Sequence, residues 1–229
     1  DKGLDAKIVA CVQTNGSALA LKPELARNYT GPEDLKGLKI GIIPTTSIQE
    51  AILTKWLMDN GIDPKDVEMI SMGGGDAVTT MGAGAIDGAF VHHPYPAIME
   101  MEGSGKVVVN SGEMWPNHAC CCLLVSGKLI KEQPDLVEQV IRTHINATKY
   151  NIAHPDEAAE ICAKKLGWDV DKIEYSLNTW DGEWVYNPYI GLNCTLEYAK
   201  FHYELGYTDK LLTKEDLFDT SFYDKIIGK

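Results

Sequence analysis

The segment from Leu38 to Gly61, LKIGIIPTTSIQEAILTKWLMDNG, constrains the fold most, because it reads as a strand, a tight turn and a helix in succession. Residues 39–43 are rich in β-branched side chains, which is typical of a buried strand, and Pro44 ends that run. Apolar residues then recur at helical spacing until Gly61 stops the helix. The segment therefore predicts one strand–helix unit of an α/β sheet.

The turn of this unit, Thr45-Thr46-Ser47, places three hydroxyl groups at the predicted helix N-terminus. A helix N-terminus has unpaired N–H groups and a partial positive charge, so hydroxyls there can help to bind an anion. A purely structural reading is equally simple. In it, Thr46 or Ser47 only caps the helix, and Gln49 or Glu50 completes a capping box. The turn by itself leaves both readings open.

The strand–helix pattern continues through three more predicted strands, at residues 67–71, 86–91 and 106–110, with Asp76 as the predicted cap of the second helix. This alternation predicts a parallel sheet with right-handed crossovers. Ligands bind beyond the carboxyl ends of the strands in such sheets, so the connecting segments there favour a small polar or anionic ligand. They supply these candidate ligand-binding residues: Thr45, Thr46, Ser47, Gly74, His92, His93, Tyr95, Trp115 and His118.

The flanking parts of the chain differ in character from this segment. Residues 6–13, 17–21 and 119–126 are apolar runs that predict strands. After Pro134 the pattern is mostly helical, with a loop rich in tryptophan and tyrosine near residues 180–189. These helices have no parallel-sheet pattern of their own, so we expect them to pack on a sheet formed elsewhere in the chain.

Charge and composition exclude several classes of partner. The formal net charge is −12, and no basic cluster occurs, so nucleic acid and anionic membrane surfaces are poor partners. No run of 18 apolar residues occurs. The six cysteines show no CxxC pairing and make a poor disulfide framework, which is the usage of a chain in reducing surroundings or of an anaerobe.

The consecutive thiols of Cys120, Cys121 and Cys122 suggest metal chemistry at first sight. Successive residues of a strand point to opposite faces, so three adjacent thiols cannot form one tetrahedral site. The adjacent pair His92 and His93 has no nearby acidic or cysteine partner. The sequence also has no GxGxxG motif, no P-loop and no locally supported Ser-His-Asp order. We therefore predict no metal, no cofactor and no catalytic residue, with the three cysteines as small structural residues of a strand.

Four motifs occur in an order that resembles a known family. They are DLKGLKIGIIPTTS, GAGAIDGAFVHHPYP, WPNHACCCLLVS and LFDTSFYDKI. Together they resemble the nitrate-, sulfonate- and taurine-type solute-binding proteins of ABC transporters, and the resemblance runs over the whole chain. It implies an α/β chain with the two-lobed type II periplasmic-binding-protein fold.

The resemblance also implies a function, a partner and a location. In such a protein an interlobe cleft captures a small anionic or polar solute, such as a sulfonate, nitrate, taurine or a pyrimidine, and an ABC permease receives it. The expected location is periplasmic, or extracellular and membrane-anchored. Lobe one would comprise residues 1–22 and 118–229 and lobe two residues 23–117, with hinge crossings at the strands 17–21 and 119–125.

Two alternatives follow from the same resemblance. Family members begin with roughly 80 more residues of lobe one, so we expect either a homodimer through the lobe-one half or a longer native protein. The thiamine-pyrimidine synthases, which are iron enzymes, share the fold. His118 with Cys120, Cys121 and Cys122 resembles part of their cysteine motif, although Leu124 or Val125 replaces its later cysteine.

Overall fold

The computed structural model describes residues 4–44 and 46–229, which form two compact units. The first unit contains the residues up to Asn15, then Asn117–Ala158 and Glu183–Lys229. The second contains Gly16–Pro116 and Ala159–Gly182. The chain therefore crosses between the units at each junction of these segments.

The secondary structure follows the predicted strand–helix alternation. The strands are β1 (Ala6–Thr14), β2 (Ser17–Leu21), β3 (Lys39–Ile42), β4 (Glu68–Ser71), β5 (Gly88–His92), β6 (Lys106–Asn110), β7 (Ala119–Ser126) and β8 (Glu183–Trp184). The helices are α1 (Pro23–Ala26), α2 (Ile48–Asp59), α3 (Gly74–Gly82), α4 (Tyr95–Met101), α5 (Ser111–Met114), α6 (Gly127–Glu132), α7 (Pro134–Ala153), α8 (Pro155–Leu166), α9 (Val170–Thr179), α10 (Leu192–Glu204), α11 (Lys214–Leu217) and α12 (Ser221–Ile227). Short 3₁₀ turns lie at Pro32–Leu35 and Pro64–Asp66.

The second unit contains a five-stranded sheet with the order β4-β3-β5-β2-β6. Strands β3, β4 and β5 are parallel, as the alternation predicts. Strand β2 lies between β5 and β6 and is antiparallel to both. The predicted parallel sheet is thus a mixed sheet, in which β2 separates β6 from the other parallel strands.

Helices α3 and α4 cover this sheet with an apolar core. The buried residues of that core are aliphatic or methionine side chains: Ala20, Ala77, Met81, Ile86, Ala89, Val91 and Met99. Helices α8 and α9 add a smaller cluster around Ala159, Ala163 and Ile173 in the same unit. Burial of these side chains is the main favourable contribution to folding of the unit.

The first unit is built on the antiparallel pair β1 and β7, with the two-residue strand β8 on the other side of β1. Strand β1 is the central strand, and Val9, Ala10 and Cys11 in it are completely buried. Helices α7 and α12 pack on this sheet through Val137, Ile141, Ile145 and Tyr223. Part of the predicted helical second half, α7 and α12, therefore packs on β1 and β7.

The units differ from the predicted lobes in two places. Strand β2 was assigned to lobe one, but its hydrogen-bonding partners β5 and β6 belong to the second unit. Residues 159–182 were also assigned to lobe one, and they too belong to the second unit. The first crossing therefore lies between Asn15 and Gly16, before the strand that was predicted to form it.

One local prediction is also wrong. Asp76 does not cap α3, because the helix begins at Gly74 and Gly73 is its N-cap residue. In addition, none of the described helices is both long and apolar enough to cross a membrane.

The close contact between β2 and β5 gives a test of the fold. A Cβ atom on Gly88 would lie 2.5 Å from Leu21 Cδ2 and 2.8 Å from the Ala20 carbonyl oxygen. We expect Gly88→Ala to lower the free energy of unfolding by about 1–3 kcal/mol, because the strands must separate to accommodate the methyl group. Urea-induced unfolding measures this change.

The control for this test is Gly82→Ala, at the end of α3, where a Cβ atom would meet nothing within 4 Å. Alanine is the better helix former, so this variant should be neutral or gain up to about 1 kcal/mol. Equal stability of both variants would contradict the close packing of β2 on β5.

Candidate functional site

One edge of the five-stranded sheet gathers most of the predicted site segments. Ile42 of β3 pairs with Ser71 of β4 and with Phe90 of β5, so these three parallel strands end side by side. Strand β6 ends at the same edge, because Asn110 lies opposite Ala18 near the start of β2. We call this the strand-end edge. Helices α2, α3 and α5 begin there, each directly after one of these strands.

The N-terminus of α2 is capped by a side chain, as the structural interpretation of its turn predicts. Ser47 is the N-cap residue, and its Oγ accepts a hydrogen bond from the Glu50 N–H at 3.1 Å. The Glu50 carboxylate in turn accepts from the Thr46 N–H at 2.6 Å. These contacts confirm Ser47 as a cap with Glu50 as its partner. Thr45 lies outside the described residues.

The N-terminus of α3 is more open. Its N-cap residue, Gly73, has no side chain, and within residues 4–44 and 46–229 no side chain caps the first turn. Gly73 and Gly75 are exposed, whereas Gly74 is buried. A helix of nine residues leaves its first N–H groups and a partial positive charge at this end. These N–H groups are the available backbone donors of the strand-end edge.

Gly74 is buried because the Tyr95 ring lies directly over it. A Cβ atom at this position would lie 2.1 Å from Tyr95 Cδ2. The same ring makes an edge-to-face contact with His92 at a centroid distance of 5.2 Å and another with Trp168 at 5.8 Å. The structure therefore brings three predicted site residues, Gly74, His92 and Tyr95, into one aromatic cluster at the strand-end edge.

His93 points toward α9 and is largely buried. Its Nδ1 lies 3.0 Å from Ser176 Oγ, while Nε2 has no hydrogen-bond partner in the described part of the chain. Burial lowers the pKa of His93 to about 4, although the carboxylates of Asp181 and Glu100 act in the opposite direction. His93 is therefore neutral at pH 7, and only a neutral imidazole role is open to it.

A buried polar network at this edge was missed by the sequence reasoning. Ser17 Oγ accepts a hydrogen bond from Gln49 Nε2 at 3.2 Å, and the Ser17 N–H donates to Ser111 Oγ at 3.0 Å. All three side chains are buried. Ser17 opens β2, so it reaches this edge only because β2 is antiparallel to its neighbours. The available signal was a serine at the start of a strand, which is too common to single out.

Asp181 is the second group that the sequence did not identify. One carboxylate oxygen accepts from the Gly16 N–H at 2.9 Å, and the other accepts from the Gly112 N–H at 2.6 Å. Gly112 lies in the first turn of α5. A carboxylate of the protein thus occupies two backbone donors of the strand-end edge.

Trp115 has a different ring contact, and His118 belongs to the other unit. Trp115 is buried, and Lys55 of α2 lies over its ring at 5.5 Å from the centroid. Lys55 comes eight residues after Ser47, the N-cap of α2. This spacing is roughly 12 Å along a helix, so the contact between Lys55 and Trp115 is not at the α2 N-terminus. His118 belongs to the first unit and is fully buried, and burial lowers its pKa to about 4.

The three consecutive cysteines lie on β7 of the first unit. Cys121 is exposed, whereas Cys120 and Cys122 are half-buried, as the alternation of a strand predicts. Hydrogen bonding to Cys120 lowers the pKa of Cys121 to about 7. Among the described residues, no three His, Cys, Asp or Glu side chains form a group that could hold a metal ion.

Known proteins resemble this chain in sequence and in fold. The NMT1-like family matches residues 1–166. A taurine-binding periplasmic protein of Escherichia coli (strain K12) is 29% identical over 144 residues, covering 62% of this chain and 43% of that protein. This chain thus spans less than half of that relative's length.

Solved structures resemble the chain over nearly its whole length. The alkanesulfonate-binding protein from Xanthomonas axonopodis pv. citri bound to MOPS has a TM-score of 0.80 at 17% identity, covering 95% of this chain and 75% of that one. The periplasmic nitrate-binding protein from Synechocystis PCC 6803 has a TM-score of 0.82 at 13% identity, covering 99% and 68%. The chain therefore has the type II periplasmic-binding-protein fold that its motifs predict.

The buried histidines give a testable pH dependence. His93 and His118 have a pKa of about 4 in the folded chain and of about 6.5 when unfolded. Between these values the unfolded chain binds more protons, so the contribution of the two histidines to the free energy of unfolding should be constant above pH 6.5 and fall as the pH falls toward 4. Urea unfolding at stepped pH measures this.

The histidine contribution can be isolated by a variant and by spectroscopy. His93→Asn should make the stability loss between pH 6.5 and 4 less steep, because one of the two groups no longer titrates. NMR titration of the histidine Cε1 protons reports the folded-state pKa directly. Folded-state values near 6.5 for both rings would contradict the expectation.

Proposed function

The chain belongs to the NMT1-like family, and on that premise we propose that it binds a small oxyanionic or polar solute at the strand-end edge as the solute-binding component of an ABC importer. One observation supports this most directly. The exposed and uncapped first turn of α3 lies beside the ends of the parallel strands, where backbone N–H groups can meet an anion.

The acidic net charge of the chain favours an anion site made of backbone donors rather than of basic side chains. With a net charge of −12, the protein gives an anion no long-range attraction, so binding must depend on short-range hydrogen bonds. The strand-end edge already accommodates two protein carboxylates, since Glu50 accepts from Thr46 and Asp181 from Gly16 and Gly112. These contacts support the proposal that backbone donors at this edge can bind the oxygen atoms of an anion.

The names of the similar proteins suggest the class of solute. They are named for taurine, alkanesulfonate and nitrate, all of which carry an oxyanion. We propose a sulfonate as the first solute to test, then nitrate, with a pyrimidine as the neutral alternative. Within the site, we propose contacts from Thr45, Thr46, Ser47, Gly74, His92 and Tyr95. Contacts from His93, Trp115 and His118 stay predictions.

The iron-enzyme alternative is less well supported. It depends on His118 with the cysteines of β7, and strand alternation separates Cys121 from its neighbours. The relatives reported above are named as binding proteins. We therefore propose a binding function without catalysis, a membrane permease as its partner, and a periplasmic location or one at the outer face of a membrane.

The proposed anion site can be tested at a single N–H group. Gly75→Pro removes one backbone donor from the first turn of α3, where proline is tolerated and where a Cβ atom would meet nothing within 4 Å. A hydrogen bond to a charged group contributes about 1.5–3 kcal/mol, so the Kd for taurine or an alkanesulfonate should rise by about one to two powers of ten. Isothermal titration calorimetry measures this.

The matched control is Gly75→Ala, which adds a side chain but keeps the N–H group. Its Kd should stay within about twofold of the parent, and circular dichroism should show both variants folded. If Gly75→Pro binds the same sulfonate as tightly as Gly75→Ala, the anion does not bind at this turn. If the parent binds none of the sulfonates, nitrate or pyrimidines, the proposed solute class is wrong.

We also propose that the first unit self-associates. Leu136 and Val140 are one turn apart on α7 and are 42% and 40% exposed. Large exposed apolar groups that share one helix face are typical of interfaces. Light scattering should give twice the monomer mass, and Val140→Glu should shift it toward the monomer. A monomer at all accessible concentrations would contradict this proposal.

A further inference from the structure

Two cysteines face each other across the central strand pair of the first unit. Cys11 of β1 lies directly opposite Cys122 of β7 in the antiparallel register. Residues opposite each other in such a ladder have Cα atoms about 4.5–5.5 Å apart. A disulfide requires a Cα separation of about 4.4–6.8 Å, so this pair meets the requirement without backbone movement.

The two side chains influence each other's protonation. Hydrogen bonding between them lowers the pKa of Cys11 and raises that of Cys122. The Cys11 thiol also donates a hydrogen bond to the Pro188 carbonyl oxygen at 3.7 Å. Cys11 is completely buried and Cys122 is half-buried, so the pair lies largely inside the unit.

We propose that Cys11 and Cys122 form a cross-strand disulfide when the chain folds in the presence of a disulfide oxidant such as oxidised glutathione. The proposal rests on the strand register and is independent of the proposed function. It gives a role to one of the three consecutive cysteines and to Cys11, which the sequence pattern did not pair.

The chemistry balances with a low-molecular-weight disulfide as the oxidant. The thiolate of one cysteine attacks oxidised glutathione, which forms a mixed disulfide and releases one reduced glutathione. The second cysteine thiolate then attacks the protein sulfur of the mixed disulfide and releases the other glutathione. The two protein thiols together lose two protons and two electrons, and the oxidant is reduced to two thiols. Because Cys11 is buried in the folded unit, we expect the exchange to occur during folding.

Two other cysteine pairings compete with this one. Cys120 and Cys121 have sulfur atoms 4.0 Å apart, but a disulfide between adjacent residues closes a strained eight-membered ring. Cys194 on α10 is buried, and Cys11 contributes to raising the pKa of its thiol, but no strand register holds the two together. The geometry therefore favours Cys122 as the partner of Cys11.

The bond would connect the chain just before and just after the main segment of the second unit. Residues 16–116 lie entirely within the loop that it closes. Closing so long a loop restricts the unfolded chain strongly, so the disulfide should stabilise the protein against unfolding.

The experiment is oxidative refolding followed by peptide mapping. The reduced protein is unfolded in urea and refolded in a buffer of reduced and oxidised glutathione, and free thiols are then alkylated. Trypsin releases Cys11 in residues 8–27, Cys120 to Cys122 in residues 107–128, and Cys194 in residues 173–200. We expect 8–27 linked to 107–128 with a loss of two hydrogen atoms, and fragmentation should place the bond at Cys122.

Variants separate the alternatives. Cys122→Ala should abolish the link, whereas Cys120→Ser and Cys121→Ser should retain it. In the parent, the urea midpoint of the oxidised form should exceed that of the dithiothreitol-treated form, and Cys11→Ser should remove that difference. A link from 8–27 to 173–200, a bond between Cys120 and Cys121, or full alkylation of all six cysteines in the parent would overturn the proposal, and none of these readouts requires a variant to fold.

Discussion

The fully buried strand β2 is the element on which the second unit depends. All five of its residues are buried, and it forms hydrogen bonds with β5 on one side and β6 on the other. Without it, both neighbours would have an unpaired edge inside the sheet, where backbone groups cannot reach water. Both faces of β2 are apolar, so alternation of polarity cannot fix its register. Shape fixes it instead, because Leu21 lies over Gly88, which has no side chain.

The position of β2 also determines what the strand-end edge contains. Because β2 is antiparallel, its first residue lies beside the last residues of β5 and β6. Ser17 therefore forms hydrogen bonds with Gln49 of α2 and with Ser111 of α5. The resulting edge carries backbone N–H groups, hydroxyls and an amide, and the carboxylates of Glu50 and Asp181 are held there by backbone donors. The proposed site would therefore discriminate by hydrogen-bond geometry rather than by net charge.

Local chemistry explains which features the sequence predicted. The strand, turn and helix at Leu38–Gly61 were predictable because residue spacing and an N-cap act over a few positions, and Ser47 with Glu50 forms the expected cap. The place of β2 was not predictable, because SALAL is apolar at nearly every position and would suit the centre of either sheet. Asp181 was missed for a related reason. It binds backbone N–H groups 69 and 165 residues away, and these carry no side-chain signal.

The distance between β2 and its partners along the chain has a consequence for biosynthesis. β2 ends at Leu21, and its first partner begins at Gly88, so 66 residues must be added before any pairing can occur. At 5–20 residues per second this takes about 3 to 13 s, during which the four apolar residues of β2 have no native partner. The nascent chain therefore presents a β-forming segment early on the ribosome. Until its partners are made, the unpaired backbone groups of this segment can pair with other chains.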